Sequence, residues 1–217
     1  MKRLTTVAAV VAGGIMVAGQ ARAQLPGIPV YNTVVATGLT LAGDVAFPND
    51  NSGLSTSYGA TGALGLGIFG FTASLGATKV DATGQTEVSF GGTANWKIFG
   101  GPLIPLALNL QGGAAYWEAD FPGTPSKIKN LRVPVGISAT LTIPTPGMAI
   151  KPWIAPRVEY RRSEPDGQNS VDHTDFAWSA GIELAFLGGL GVHAAYDWLR
   201  SDGVTSSTVG VGASFGL

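Results

Sequence analysis

Asp172, His173 and Asp175 lie within four consecutive positions of the 217-residue chain, and side chains of these types can do hydrolytic chemistry. An imidazole and a carboxylate that are held together can activate a water molecule as a general base. The alternative is that His173 is a solvated residue of a loop. Which interpretation applies depends on the element that carries these three residues.

A second set of such residues follows further along the chain. Ser179 and Glu183 are four positions apart, as are His193 and Asp197, so each pair shares one face of an extended strand. A serine, a histidine and an acid are the components that activate a nucleophilic hydroxyl. The alternative is that His193 belongs to a structural hydrogen-bond network.

The composition limits the other kinds of site. The chain has two His and no Cys, which leaves little for a transition-metal site and excludes disulfides and a thiol nucleophile. The stretch from Glu164 to Asp172 lacks the regular acidic spacing of a calcium loop. We therefore predict no metal and no cofactor. A net charge of −1 gives no basic surface for nucleic acid.

Residues 1–23 have the features of a secretory signal peptide. Lys2 and Arg3 form a positive end, an apolar stretch runs from Leu4 to Ala18, and a small-x-small cleavage pattern ends at Ala23. We expect cleavage after Ala23, which leaves one domain, 24–217, that begins at Gln24. A retained membrane anchor is the alternative, but the apolar stretch is shorter than the roughly 20 residues of a helical span.

The rest of the chain alternates with period two between a lipophilic face and a face of small or polar residues. Only 12% of the residues are charged, about half the usual fraction, which argues against an ordinary cytosolic enzyme. Ten segments show the alternation, at about 34–47, 56–69, 71–80, 86–99, 103–118, 129–143, 148–162, 173–186, 190–200 and 204–217.

Three features favour a membrane barrel over a soluble sandwich. Many segments have 12 to 16 residues, enough for a tilted membrane crossing. The less apolar face is mostly Gly, Ala, Ser and Thr, which suits a confined lumen better than a hydrated surface. Large aromatic residues cluster towards segment ends, as in interfacial girdles. They are Phe47, Tyr58, Phe69, Phe71, Phe99, Tyr116, Trp117, Tyr160, Phe176, Trp178, Phe186, Tyr196, Trp198 and Phe215.

The connections between segments are of two alternating kinds. Odd-to-even connections are longer and polar, whereas even-to-odd connections are tight and uncharged. This is the pattern of a barrel with extracellular loops at one end and periplasmic turns at the other. The predicted fold is all-β: a single closed antiparallel up-and-down transmembrane β-barrel of about ten strands, with short periplasmic turns and longer extracellular loops.

With these features the chain resembles the small outer-membrane β-barrel proteins of Gram-negative bacteria, the porin-like and surface barrels. The resemblance implies an outer-membrane location, lipid as a partner, and periplasmic chaperones and the barrel-assembly machinery as partners in biogenesis. The alternating C-terminal residues that end in Phe215 and Leu217 resemble the insertion signal that this machinery reads, although the family usually ends in Phe. Omptin proteases and lipid A modifying enzymes are barrels of this size, and they are the precedent for an enzyme.

The predicted lumen contains a polar network of five basic residues, six acidic residues and one histidine. These are Asp44, Glu87, Lys97, Arg132, Lys151, Arg157, Glu159, Arg161, Asp175, Glu183, His193 and Asp197. Burial of so many charges requires that they be paired or hydrated. The first, second, third and tenth segments offer mostly small side chains, so we expect the long charged groups to reach across towards that wall. The lumen is then either plugged by salt bridges or a narrow water-filled path.

The function predicted from the sequence is a non-catalytic outer-membrane barrel, either a small passive channel or a structural or surface protein. Two alternatives remain. One is an omptin-like or lipid A modifying enzyme, and the other is binding of a ligand or a host surface through the extracellular loops.

Overall fold

The computed structural model describes residues 25–31, 37–81, 84–101, 104–120 and 127–217. Almost all of these residues form strands, because β-branched, aromatic and small residues alternate along them. In chain order the strands are β1 (Gly38–Pro48), β2 (Leu54–Leu66), β3 (Phe69–Val80), β4 (Thr86–Gly101), β5 (Ile104–Asp120), β6 (Lys127–Leu141), β7 (Ile143–Thr145), β8 (Met148–Pro165), β9 (Val171–Phe186), β10 (Leu190–Ser201) and β11 (Val204–Gly216).

A single helical turn, Asp50–Ser52, follows β1. The part of the chain described above contains no helix that is long and apolar enough to cross a membrane.

The strands close into a ring. Chain neighbours pair antiparallel, β1 pairs with β11 from Thr40 and Gly216 to Pro48 and Thr208, and β6 pairs with β8. The three-residue β7 continues β6 and pairs with the start of β8, so it adds no strand to the ring. The result is the predicted closed up-and-down barrel of ten strands.

The barrel has two different ends. Tight connections join β2 to β3, β7 to β8 and β9 to β10 at one end, here called the turn end. The C-terminal ends of β1, β3, β5, β8 and β10 lie at the other, here called the loop end. In outer-membrane barrels the short turns are periplasmic and the longer loops extracellular.

Large apolar side chains cover the outside of the barrel. Leu75 is 63% exposed, Val88 67% and Phe90 55%, and similar residues follow on every strand of the ring. A water-soluble protein does not expose such an extended apolar surface, so this belt faces the hydrocarbon of a bilayer. Towards the loop end the outward positions become charged, as at Lys129 and Arg162, which marks the edge of the belt.

The lumen is filled in part by a piece of chain that precedes the barrel. Residues 25–31, here called the inner segment, lie inside the ring with buried side chains. The described part of β1 begins at Gly38. The predicted start of the first segment, at about 34, falls within residues 32–36, which lie outside the described residues.

Candidate functional site in the barrel lumen

The inner segment packs against the wall of small residues. Leu25, Ile28, Val30 and Tyr31 are each at most 3% exposed, which stabilises the packed segment by about 1.5–3 kcal/mol for each large aliphatic side chain. On the facing strands, glycines leave room for them. A Cβ added at Gly59 would lie 2.6 Å from Ile28 Cδ1, and one added at Gly76 would lie 2.9 Å from Leu25 Cδ1.

This placement corrects one expectation from the sequence. The small-residue wall does not serve mainly as space for long charged side chains, because the inner segment occupies it along β2, β3 and β11. Tyr31 and Pro29 lie against Gly210 of β11, where a side chain would overlap both of them. The side chains of this wall are small because a second layer of polypeptide must fit inside the ring, and a ring of ten strands is narrow.

Polar contacts hold the inner segment along its length. Thr78 Oγ1 donates a hydrogen bond of 2.8 Å to Pro26 O, in the half of β3 near the loop end. Val30 N donates one of 3.2 Å to Asp197 Oδ1. Nearer the turn end, the Tyr31 ring packs edge-on against the ring of His193, with centroids 5.2 Å apart. The segment therefore descends from the loop half of the lumen towards the turn end.

The centre of the lumen contains a compact group of ion pairs. Glu159 is fully buried and accepts hydrogen bonds from Arg132 Nε at 2.6 Å, Arg132 Nη2 at 2.7 Å and Arg157 Nε at 3.1 Å. Arg157 also donates to Asp197 Oδ2 at 2.9 Å and to Ser179 Oγ at 2.8 Å. Two guanidinium groups thus face two carboxylates in bidentate and bridged geometry, which offsets the cost of removing four charges from water.

Further pairs lie around this group. Lys151 Nζ lies 3.3 Å from Glu183 Oε1, and His193 Nε2 lies 2.9 Å from Asp44 Oδ1. Arg161 Nη2 donates a bond of 2.6 Å to Asp175 Oδ2 nearer the loop end.

Two of the twelve residues predicted for the lumen lie apart from these pairs. Glu87, near the loop end of β4, accepts a hydrogen bond from the Asp120 backbone N. Lys97 lies near the turn end of the same strand and is half-buried. The structure therefore brings ten of the predicted residues together and leaves these two at the margins.

The residues with hydrolytic potential are engaged in other contacts. Ser179 donates its hydroxyl hydrogen to Asp197 Oδ1, while His193 bonds Asp44. Because a hydroxyl has one hydrogen to donate, the geometry leaves none for His193 to remove from Ser179.

The outer set lies on β9 near the loop end. His173 Nδ1 lies 3.2 Å from Asp202 Oδ2, and Asp172 lies 4.0 Å from Arg162 Nε. Asp175 is paired with Arg161, as described above. Among the described residues, no three His, Cys, Asp or Glu side chains form a group that could hold a metal ion.

A cavity of about 490 Å³, here called the cup, separates the inner segment from the loop end. Pro26, Gly27 and Ile28 form its floor, and Trp117 is part of its wall. Trp117 was predicted among the aromatic girdle, but its strand position faces the lumen, so this assignment was wrong. Other lining residues include Asn130, Arg132, Glu159, Arg161, Ser163, His173 and Asp202.

The remaining predicted sites lie at the ends of the chain. Ala23 and Gln24, the predicted cleavage residues, lie outside the described residues. Phe215 and Leu217 are exposed on the outside of the barrel at the end of β11, at 47% and 68%.

Sequence comparisons do not identify a closer family. No protein-family model matches the chain, and no curated protein matches it either.

Comparison with solved structures matches the architecture. The β domain of the Bordetella autotransporter BrkA superposes with a TM-score of 0.52 at 11% identity, over 83% of this chain and 99% of that one. The chain has the fold of an outer-membrane β-barrel. The translocator domain of the autotransporter NalP from Neisseria meningitidis gives 0.46 at 12% identity, covering 82% and 88% of the two chains. Neisserial surface protein A superposes with a TM-score of 0.40 at 14% identity, over 83% of this chain and 98% of that one.

These likenesses concern the fold alone, because all three identities are low. The predicted resemblance to outer-membrane β-barrels is confirmed for the fold, without a specific member. Together with the apolar belt and the even number of ring strands, the fold places the protein in the bacterial outer membrane, in contact with its lipid.

Replacement of Glu159 by Gln tests the importance of the central ion pairs. Glu159→Gln leaves Arg132 and Arg157 buried with one carboxylate fewer, and we expect the free energy of unfolding to fall by about 3–5 kcal/mol. The measurement is guanidinium-induced unfolding of the barrel in phospholipid vesicles. The matched control is Glu164→Gln, which removes an exposed ion pair in which Glu164 Oε2 lies 3.5 Å from Arg162 Nη2. This control should lower the free energy of unfolding by about 1 kcal/mol or less. Equal losses in the two variants would contradict the assigned role of Glu159.

Proposed function

We propose that this protein is a non-catalytic surface or structural barrel of the outer membrane whose lumen is closed. The observation that carries the proposal is the inner segment, which fills the space beside the small-residue wall. A ring of ten strands is only slightly wider than one of eight, whose interior side chains alone fill. An added layer of polypeptide leaves little room for a continuous water path.

The ion pairs support closure from the other side of the lumen. Asp197 contacts both the inner segment and the group of ion pairs, because its Oδ1 accepts a hydrogen bond from Val30 N and its Oδ2 accepts one from Arg157. The inner segment and the charged wall are therefore joined across the lumen by direct hydrogen bonds. This arrangement favours a structural or surface role over a passive channel.

The contacts of the candidate hydrolytic residues support a non-catalytic role. Ser179 and His193 each bond a different carboxylate, and Asp175 is paired with Arg161. We further infer that the protein uses periplasmic chaperones and the barrel-assembly machinery. The exposed positions of Phe215 on the last strand and of Leu217 directly after it support their role as an insertion signal.

Conductance in planar bilayers tests the closed lumen. The full-length folded protein should give no discrete ion steps, because the inner segment and the ion pairs occupy the lumen. A variant that lacks residues 25–31 should give steps, provided that a heat-modifiable mobility on gels shows it to be folded. Regular steps from the unaltered protein, of the same size as those of the variant, would overturn the proposal of a closed barrel.

Hydrolytic assays test the non-catalytic role. The purified barrel should neither cleave peptides nor deacylate lipid A, because the hydroxyl of the buried Ser179 donates to Asp197 and not to His193, which bonds Asp44. The His173→Ala and His193→Ala variants serve as controls. Activity that is present in the unaltered protein and lost in either variant would show that the barrel is an enzyme.

A further inference from the structure

The cup has the dimensions of a ligand site. Its volume of about 490 Å³ lies within the range of pockets that hold drug-sized ligands, and a disaccharide is of that size. The inner segment closes it below, and it opens at the loop end, where Asp202 is exposed. If the loop end is extracellular, as in outer-membrane barrels, the cup faces the cell exterior.

Trp117 gives the cup a flat apolar surface. The side chain is half-buried on the lumen side of β5, and it stacks on no other ring within the described ranges. The other tryptophans differ in this respect, since Trp96 stacks on Phe69 outside the barrel and Trp153 packs on Tyr31 below the cup. An indole that remains half-exposed inside a polar cavity can bind the apolar face of a ligand and donate from its ring nitrogen.

Hydrogen-bonding groups adjoin the indole. The strand register places Trp117 opposite Asn130, and Asn130 opposite Ser163, so the three form one row across β5, β6 and β8. In the next row lies Arg161, whose Nη2 bonds Asp175 while its Nε is buried with no hydrogen-bond partner among the described residues. That nitrogen is closed off from the cup, but the Arg161 side chain as a whole is 31% exposed and lines the cup, so its guanidinium can donate to a ligand hydroxyl.

The arginines of the cup are already paired with carboxylates, Arg132 with Glu159 and Arg161 with Asp175. Asp202 lies at the exposed rim, 3.2 Å from His173 Nδ1, where water screens its charge. An ionic ligand would have to give up its hydration without meeting an unpaired counter-charge, which is unfavourable. A neutral ligand with many hydroxyls meets no such penalty.

From this combination we propose that the cup binds a neutral saccharide. A sugar ring has one apolar face of C–H groups, which stacks on Trp117, and a rim of hydroxyls, which bond Asn130, Ser163 and Arg161. The site goes beyond the surface role proposed above and rests on it, because the saccharide enters from outside and the inner segment closes the floor.

Saturation-transfer NMR on the full-length barrel tests this site. The protein is held in a detergent without a sugar headgroup, and the probes are the neutral disaccharides maltose, lactose, sucrose and trehalose at up to about 10 mM. At least one should bind, with its ring C–H protons most strongly saturated. Trp117→Ala should weaken that binding by about tenfold or more, whereas Trp96→Ala, on the lipid-facing side, should leave it unchanged.

Several results would overturn the saccharide site. They are binding of none of the four probes, equal binding by the Trp117→Ala variant, or binding only of a charged probe such as 3′-sialyllactose or of a short peptide. The outcome is separable from that for the closed lumen. Conductance steps together with Trp117-dependent saccharide binding would contradict the closed lumen alone. An absence of steps together with no saccharide binding would contradict the saccharide site alone.

Discussion

The space inside a ring of ten strands must be filled, and the way in which this chain fills it determines most of its structure. One half of the wall carries long charged side chains, and the other half carries glycine, serine and threonine. Atoms must occupy the gap beside the small residues, because an unfilled space loses packing contacts. The inner segment provides those atoms, and Gly59 and Gly76 allow it to lie directly against the strands.

The inner segment and the ion pairs of the charged wall together occupy the lumen, and each contacts the other. Asp197 bonds both Arg157 of the charged wall and the backbone of Val30 in the inner segment. Tyr31 lies against the ring of His193, which in turn bonds Asp44 on β1. Because the charged groups are paired within the lumen, the interior needs little bulk water, and the cup is a cavity that the inner segment leaves near the loop end.

The sequence predicts the strands well because each crossing strand alternates with period two, and one face must meet hydrocarbon. The same parity predicts the faces of residues such as Glu159, Arg157 and Asp197, which lie inside the barrel. It cannot predict partners, since pairing depends on the register between strands that are distant in the chain. Glu87 and Lys97 have the correct parity but lie too near the ends of β4 to join the central group.

Two features were missed for specific physical reasons. The inner segment, Leu-Pro-Gly-Ile-Pro-Val-Tyr, has no periodicity and contains two prolines, so nothing in its pattern predicts a strand or a position. The excess of small residues on the facing strands was the available signal, because a wall without side chains requires another occupant. Trp117 was assigned to the girdle from its nearness to a strand end, although its parity places it on the lumen side with Ala115.

The presence of the inner segment in the lumen is tested most directly by a designed disulfide, since the chain contains no cysteine of its own. A Cβ at Gly76 would lie 3.4 Å from Leu25 Cβ, close to the separation that a disulfide requires. The double variant Leu25→Cys and Gly76→Cys should form the bond in the folded barrel, as measured by intact mass with and without reductant. The control pair, Leu25→Cys with Leu75→Cys on the outer face, should stay reduced. A reduced first pair, or equal oxidation of both pairs, would contradict a barrel closed by its inner segment.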